Sequence, residues 1–385
     1  MRIVQLANFY SETSGGLRTA LHSLAAEYTA AGHEVVRIVP GARPGERQLG
    51  SARHIEVAGM RLGSTGYRVV TDHAALGRLL AQLAPDVIEL SDKTTMVGPA
   101  GRMRAQHGMP VVLLSHERID AILRGKVPRG VPLTRLADTW NRRLARQCDA
   151  VVCASTFAAV EWVRVRAPRV ERIALGVDLS VFAPDPAAHA GTSSALQLVC
   201  VGRLSSEKNP ALAIETVRAL VARRVHCELH MVGDGPLAST LRADAGDLPV
   251  RFHGHVGDRA QVAALLRRAD VALAPCTVET FGLSALEAMA CGTPVVVSPK
   301  GALGELIAAG TGAIADATPN AFAAAVVDVA RCDRRIATIF TRAHAERFPW
   351  SATGKRMLQL MGRLIDERSA RSLHPSAPQA LHLRG

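Results

Sequence analysis

Aromatic side chains are scarce in this sequence: Phe, Trp and Tyr together make up 4% of its 385 residues. With no recognition module present either, that scarcity weighs against a nucleic-acid-binding protein, despite a net charge of +12. Long apolar runs are missing too, and none approaches the roughly 18 residues of a membrane span. The chain enters a strand at once, Arg2-Ile-Val-Gln-Leu-Ala7, without the charged, apolar and cleavage regions of a secretory signal. No C-x-x-C pair occurs among Cys148, Cys153, Cys200, Cys227, Cys276, Cys291 and Cys332, and an odd count does not close into a disulfide framework. Most of these thiols sit in apolar strand-like runs, where they behave as small hydrophobes. Together the absences predict a cytoplasmic protein.

What is present is the apolar weight of a globular protein, 48% hydrophobic against 21% charged, over a length that predicts about two domains. Strands are expected at 2–7, 34–39, 53–57, 86–90, 110–115, 150–154 and 170–173, with helices at 17–31, 72–83, 132–147 and 156–165. Short buried strands alternating with helices predict an α/β fold whose mostly parallel sheet is covered on both faces, with ligands beyond the carboxyl ends of the strands. The stretch 185–194 reads as a linker, and the alternation restarts at Leu196-Gln-Leu-Val-Cys-Val201. The expected division is an N-terminal Rossmann-like domain over 1–180 and a C-terminal one over 181–349. A helix over 350–368 follows the Phe348-Pro-Trp350 break, and a disordered tail over 369–385 ends the chain.

The positive charge is concentrated. Residues 102–172 hold 14 Lys and Arg against 6 Asp and Glu, a surplus of +8, densest at Arg118, Arg124, Lys126, Arg129, Arg135, Arg142, Arg143 and Arg146. Such a face attracts nucleic acid, an anionic membrane or an acidic substrate, or is simply a solvated helix face in an arginine-rich protein.

Several loops at expected strand ends carry chemistry. In the stretch 274–297, Glu279 precedes a helix that carries Glu287, and Phe281-Gly282-Leu283 form its first turn. Free N–H groups at such a turn, with a glycine for close approach, suit a phosphate, and two carboxylates beside it suit hydroxyls. The two features together suggest a nucleotide sugar. Arg203 and Lys208 flank another strand-to-helix loop, where fixed cations could neutralise a diphosphate leaving group. Gly15-Gly16 make a turn without the G-x-G-x-x-G spacing of a dinucleotide site. His116 closes the strand 110–115 at the expected cleft. The loop Gly63-Ser-Thr-Gly-Tyr67-Arg68 offers a stacking face and an anion-binding fork, or is an ordinary surface loop.

In this order and spacing, Gly15-Gly16, His116, Gly202-Arg203 with Glu207-Lys208, Gly233-Asp-Gly235 and Glu279-x7-Glu287 resemble the retaining glycosyltransferases of family 4, over roughly residues 1–367. The resemblance implies the GT-B fold: two Rossmann-like αβα domains facing across a cleft, with the last helix crossing back to the N-terminal domain. It implies that Arg203 and Lys208 hold the donor diphosphate, assisted by amides near Gly15, Gly16, Phe281, Gly282 and Leu283. Glu279 would take sugar hydroxyls, Glu287 the ribose, and Val256 would lie near the base. His116 would approach the transferred sugar; with Arg203, Lys208 and Glu279 it forms the implied catalytic set. No metal or other cofactor is required in this family, and no DxD-type carboxylate pair is in evidence.

Within the family, Arg2-Ile-Val-Gln-Leu-Ala-Asn-Phe-Tyr10, Ser14-Gly-Gly-Leu-Arg-Thr-Ala20 and Ser115-His-Glu-Arg-Ile-Asp120 look like the actinobacterial mannosyltransferases of phosphatidylinositol mannosides. That likeness implies GDP-mannose as donor and an anionic glycolipid at the cytosolic membrane face as acceptor, with Tyr67, Arg68 and Arg118 as acceptor candidates. The helix at 72–83 has Arg78 as its one cation, so residues 118–146 are the expected membrane contact. A GT-B transferase with another nucleotide sugar and a soluble acceptor, a nucleotide-sugar epimerase of the same layout, a basic nucleic-acid-binding protein and a membrane scaffold remain the alternatives.

Overall fold

The computed structural model describes residues 1–10, 15–63, 66–123, 131–189 and 195–373. The first half is an eight-stranded sheet made of β1 (Arg2–Leu6), β2 (Glu34–Gly41), β3 (Gly45–Leu49), β4 (Ala52–Ala58), β7 (Val87–Leu90), β8 (Val111–Ser115), β9 (Ala150–Cys153) and β10 (Val170–Arg172). Its order is β10-β9-β8-β7-β1-β2-β4-β3. All neighbours are parallel except β3 against β4. A two-stranded antiparallel ribbon, β5 (Met60–Arg61) with β6 (Arg68–Val69), lies between β4 and the helix His73–Leu83 in the chain.

The second half is a six-stranded, wholly parallel sheet: β11 (Leu196–Val201), β12 (Cys227–Val232), β13 (Val250–Gly254), β14 (Val271–Ala274), β15 (Val295–Val297) and β16 (Gly312–Ile314), in the order β13-β12-β11-β14-β15-β16. In each sheet the central strands are Val, Ile and Leu with no exposed surface, such as Val4, Ile88, Val199 and Val296. Helices on both faces bury them, as a parallel sheet requires.

Strand order reverses at β7/β1 in the first sheet and at β11/β14 in the second. At such a switch point the loops leave in opposite directions and open a crevice. Gly15 and Gly16 follow β1 at the first switch point, His116 follows β8 one strand beyond it, and the loops after β11 and β14 at the second carry Arg203, Lys208 and Glu279.

A buried polar ladder steadies the first helix, Gly16–Ala30. Glu89, Gln5 and Arg37 stand side by side on β7, β1 and β2. Gln5 donates to Glu89 at 2.9 Å, Arg37 donates to Gln5 at 3.0 Å and to the Leu21 carbonyl at 2.8 Å, and the Tyr28 hydroxyl donates to Glu89 at 2.6 Å. The last helix, Trp350–Leu373, packs on this first helix. A Cβ at Gly354 would stand 2.5 Å from the Glu27 Cβ, so only glycine permits the approach.

Three features depart from the expected element pattern. β3 is Gly-Glu-Arg-Gln-Leu, almost wholly exposed, an edge strand whose polarity hides its period. The helix Val97–His107 has no counterpart in the expected pattern, because Gly98, Pro99 and Gly101 interrupt its apolar face. The last helix runs to Leu373, past the expected start of the tail at 369; residues 374–385 lie outside the described residues.

Candidate active site

A cavity of about 550 Å³ opens between the two sheets and is lined from both halves. From the first half come Gly15, Gly16, Tyr67, His116 and Glu117; from the second come Arg203, Lys208, Glu279, Phe281, Gly282, Leu283 and Glu287. The chemistry-bearing loops of both switch points thus converge on one space.

On the second half, the Lys208 ammonium donates to Glu279 Oε2 at 2.5 Å. Burial opposes the charge of Lys208, but Glu279, Cys276 and Glu207 together outweigh it, and the lysine pKa is raised. Both groups keep solvent contact, at 35% and 20% exposure, so a ligand can reach them. Gly282 caps the helix Leu283–Ala290 at φ +103°, where a Cβ would fall 2.3 Å from Leu303 Cδ2. The left-handed turn lets that helix begin at the cavity with its first amides unpaired within the helix. Gly233 closes on the neighbouring loop: a Cβ there would stand 1.9 Å from the Gly202 carbonyl oxygen, next to Arg203.

Glu287 lies on the same helix. Burial, partly offset by Arg259 and reinforced by Asp178, raises its carboxyl pKa to about 7. Arg259 Nη2 stands 3.3 Å from Glu287 Oε1, its guanidinium lies 4.9 Å over the Phe182 ring, and its Nη1 reaches Thr19 of the first half at 3.4 Å. Nothing in the local sequence singles out Arg259; only the packing of its helix against Leu283–Ala290 brings it there.

The halves are pinned at the cavity rim. The Ser155 hydroxyl donates to the Thr280 carbonyl at 2.6 Å, and the Thr280 hydroxyl donates to the His116 carbonyl at 2.7 Å. Glu305 accepts from the Thr156 and Phe157 amides at 2.8 Å each, a carboxylate at the start of the helix Thr156–Arg164 where the dipole favours it. A Cβ at Gly16 would stand 3.6 Å from Leu283 Cδ1, in ordinary contact across the cleft. Arg203 Nη1 donates to the Tyr67 hydroxyl at 2.5 Å, and its guanidinium lies 5.2 Å over that ring. Ser155, Thr280 and Glu305 carry no motif that would have marked them.

Three expected contacts fall elsewhere. Arg118 turns into the first half: it donates to Asp120 at 2.9 and 3.1 Å and stacks 4.4 Å over Phe157, so its fork is already filled. Arg68 donates to the Gly59 carbonyl at 2.7 Å and does not line the cavity. Val256 is half-buried against the core cluster that spans both halves, also away from the lining. Of the expected acceptor set only Tyr67 stands in the cavity. Ser14, Ser64, Thr65, Arg124, Lys126 and Arg129 lie outside the described residues.

Comparison with known proteins now decides the family. Residues 14–181 match the family described as Glycosyltransferase Family 4, and residues 195–331 match the one described as Glycosyl transferases group 1. The GDP-mannose-dependent alpha-(1-6)-phosphatidylinositol dimannoside mannosyltransferase of Mycobacterium tuberculosis (strain ATCC 25177 / H37Ra) is 42% identical over 375 residues, 94% of this chain and 96% of that one. The chain belongs to the family 4 glycosyltransferases. A second relative, the corresponding monomannoside enzyme of Mycolicibacterium smegmatis (strain ATCC 700084 / mc(2)155), is 30% identical over 63% of this chain and 69% of its own. Among solved structures, sucrose-phosphate synthase from Thermosynechococcus elongatus superposes with a TM-score of 0.78 at 22% identity, covering 95% of this chain and 99% of its own. Anabaena Alr3699/HepE in complex with UDP and glucose gives 0.72 at 19%, covering 94% and 99%. The fold is GT-B, and family membership selects the transferase among the readings that the sequence left open.

Proposed function

We propose that this glycosyltransferase moves mannose from GDP-mannose to a phosphatidylinositol mannoside, with retention at the anomeric carbon and without a metal ion. The observation that carries the proposal is the Lys208–Glu279 pair at the β11/β14 switch point, facing the cavity in a chain 42% identical to an enzyme named for that reaction. Arg203 and Lys208 would hold the diphosphate, with the amides at Phe281, Gly282 and Leu283 and at the Gly15-Gly16 turn completing the cradle. Such preorganised donors gain strength as charge develops on the leaving group. Glu279 would accept from sugar hydroxyls while keeping Lys208 charged, and Glu287 would accept from the ribose. With His116 beside the sugar, the bond from the anomeric carbon to the diphosphate oxygen breaks. An acceptor hydroxyl bonds to the same face, and its proton passes to the departing diphosphate oxygen. The acceptor side falls to Tyr67 and His116.

The test is a thermal-shift panel of GDP-mannose, UDP-glucose and UDP-N-acetylglucosamine, followed by transfer to phosphatidylinositol mono- and dimannoside in chelator. Ligand bound at 100 times its dissociation constant stabilises the folded state by about 2.7 kcal/mol. The proposal expects the shift with GDP-mannose and a lipid product carrying one more mannose. Stabilisation by a UDP-sugar alone, or turnover that requires a divalent ion, contradicts it.

A further inference from the structure

The helix Leu133–Ala145 takes no part in the cavity, yet its sequence divides into two unlike stripes. Pro132, Leu136 and Trp140 follow one another at helical spacing and are exposed, Leu136 at 57% and Trp140 at 42%. Arg135, Arg142 and Arg146 form the adjacent stripe, and Arg143 continues the apolar one; all four are exposed. None of the four has an acidic partner among the described residues. The other cations nearby are spent internally: Arg118 on Asp120, Arg164 on Asp138 and Asp120, and Arg104 on Asp149. Leucine and tryptophan bordered by free arginines have the composition of a helix lying in a bilayer interface.

The opposite face is fixed rigidly. Asp138 holds Arg164, Asn141 donates to Glu161 at 3.0 Å, and Ala137, Leu144 and Ala145 are buried. Trp140 donates its indole N–H to the Lys93 carbonyl at 2.9 Å, leaving the ring itself as apolar surface. Lys93 in turn bonds Glu161 at 2.6 Å and the Glu117 carbonyl, and Glu117 lines the cavity beside His116. The exposed indole is thus two hydrogen bonds from the cleft. By contrast, the helix His73–Leu83 exposes Arg78 as its one cation and no large apolar side chain.

We propose that the exposed face of Leu133–Ala145 rests on an anionic lipid bilayer, with Leu136 and Trp140 in the acyl boundary and Arg135, Arg142, Arg143 and Arg146 among the headgroups. A bilayer in that position presents a lipid headgroup at the His116 side of the cleft. The inference rests on the lipid-acceptor reading for its purpose, but vesicle binding is measured without donor or acceptor, so the two fail separately.

The experiment uses the full chain and its own tryptophans. Trp162 has no exposed surface and Trp350 has 6%, so Trp140 is the reporter. Vesicles of phosphatidylglycerol should shift tryptophan emission to the blue, and vesicles of phosphatidylcholine should not. Arg135→Glu with Arg142→Glu should weaken vesicle binding about 100-fold or more, because reversal of charge repels the anionic surface as well as removing two attractions. Leu136→Ser should weaken it several-fold. Ile339→Ser with Phe340→Ser, on an exposed apolar face of the second half, should leave it unchanged. Each variant's melting temperature is checked first; where one fails to fold, the emission shift of the unmodified chain still decides. Sedimentation with vesicles but no emission shift overturns the proposal, as does binding to duplex DNA but not to vesicles. Loss of binding in the Ile339 and Phe340 variant alone overturns it equally.

Discussion

The two walls of the cleft are built on the same plan and use charge in opposite ways. At the β11/β14 switch, Lys208 and Glu279 meet each other inside the cavity, and both stay open to solvent. On the first half no described Lys or Arg lines the cavity, and Arg118, Lys93 and Arg37 are consumed by the fold: Arg118 by Asp120, Lys93 by Glu161, and Arg37 by the ladder to Gln5. The difference teaches that a +8 surplus in the first half does not make it the anion-binding wall. Cations are left available at strand ends on the second half, which is where the proposed donor diphosphate would be held. Four of the first half's unpaired arginines, Arg135, Arg142, Arg143 and Arg146, cluster on an outer helix instead.

The largest effect expected from this contrast is on transfer. Lys208→Ala and Glu279→Gln should each lower the transfer rate about 10²- to 10³-fold, the loss of one preorganised charged contact to the leaving group or sugar. Melting should move little, since a partly exposed ion pair contributes about 1 kcal/mol or less. Initial rates and melting curves on the same preparations check this, and near-wild-type turnover in both variants would sink the donor assignment.

Glu287 sharpens the contrast through pH. Its carboxyl pKa is raised to about 7 by burial, above the ordinary 4.5. Between those values the folded state holds a proton that the unfolded chain has released, so stability contributed by this site falls as pH rises from 4.5 through 7. Glu287→Gln should therefore stabilise the protein above pH 7, by up to about 3 kcal/mol, and have little effect below pH 4.5. Melting temperature against pH for both proteins gives the difference directly. If ribose hydroxyls donate to the carboxylate, donor affinity should rise over the same interval and lose that dependence in the variant.

Arg118→Ala should behave as a fold mutation. It leaves Asp120, 2% exposed, with Arg164 alone, and about 2 kcal/mol of stability should be lost. The Michaelis constants for donor and acceptor should stay within about twofold, a change of roughly 0.4 kcal/mol. A selective rise in the acceptor constant would restore Arg118 to the site. The smallest effect is expected at Glu305→Ala, which frees two helix-start amides at the rim and should cost about 1 kcal/mol or less. Because that contact joins the halves, the donor constant should rise several-fold with it, read from the same kinetic assays.

What could be read from the chain follows from local chemistry. The αβ alternation was legible because buried parallel strands are short runs of Val, Ile and Leu bounded by Gly and Pro. That Glu279, Glu287, Arg203 and Lys208 would share one cavity was legible because charged residues in loops at the carboxyl ends of such strands oppose burial. The pairing of Lys208 with Glu279 was not legible. It depends on β14 lying beside β11 although 71 residues separate the two side chains, a consequence of strand order. Arg118 misled for the related reason that Asp120, two residues on, fills its fork once the helix Ile119–Leu123 forms. Arg259, Thr280 and Glu305 act only through partners in the other half or on another helix. β3 stayed hidden because an edge strand that is polar throughout has no buried face to show.

The most direct test of the unequal walls is calorimetric titration of GDP-mannose into Lys208→Ala and Arg118→Ala side by side. The account predicts that the first weakens binding by about 100-fold, the worth of a charged contact to the diphosphate, and that the second leaves it within about twofold. Equal losses in the two variants, or undiminished binding in Lys208→Ala, would contradict it.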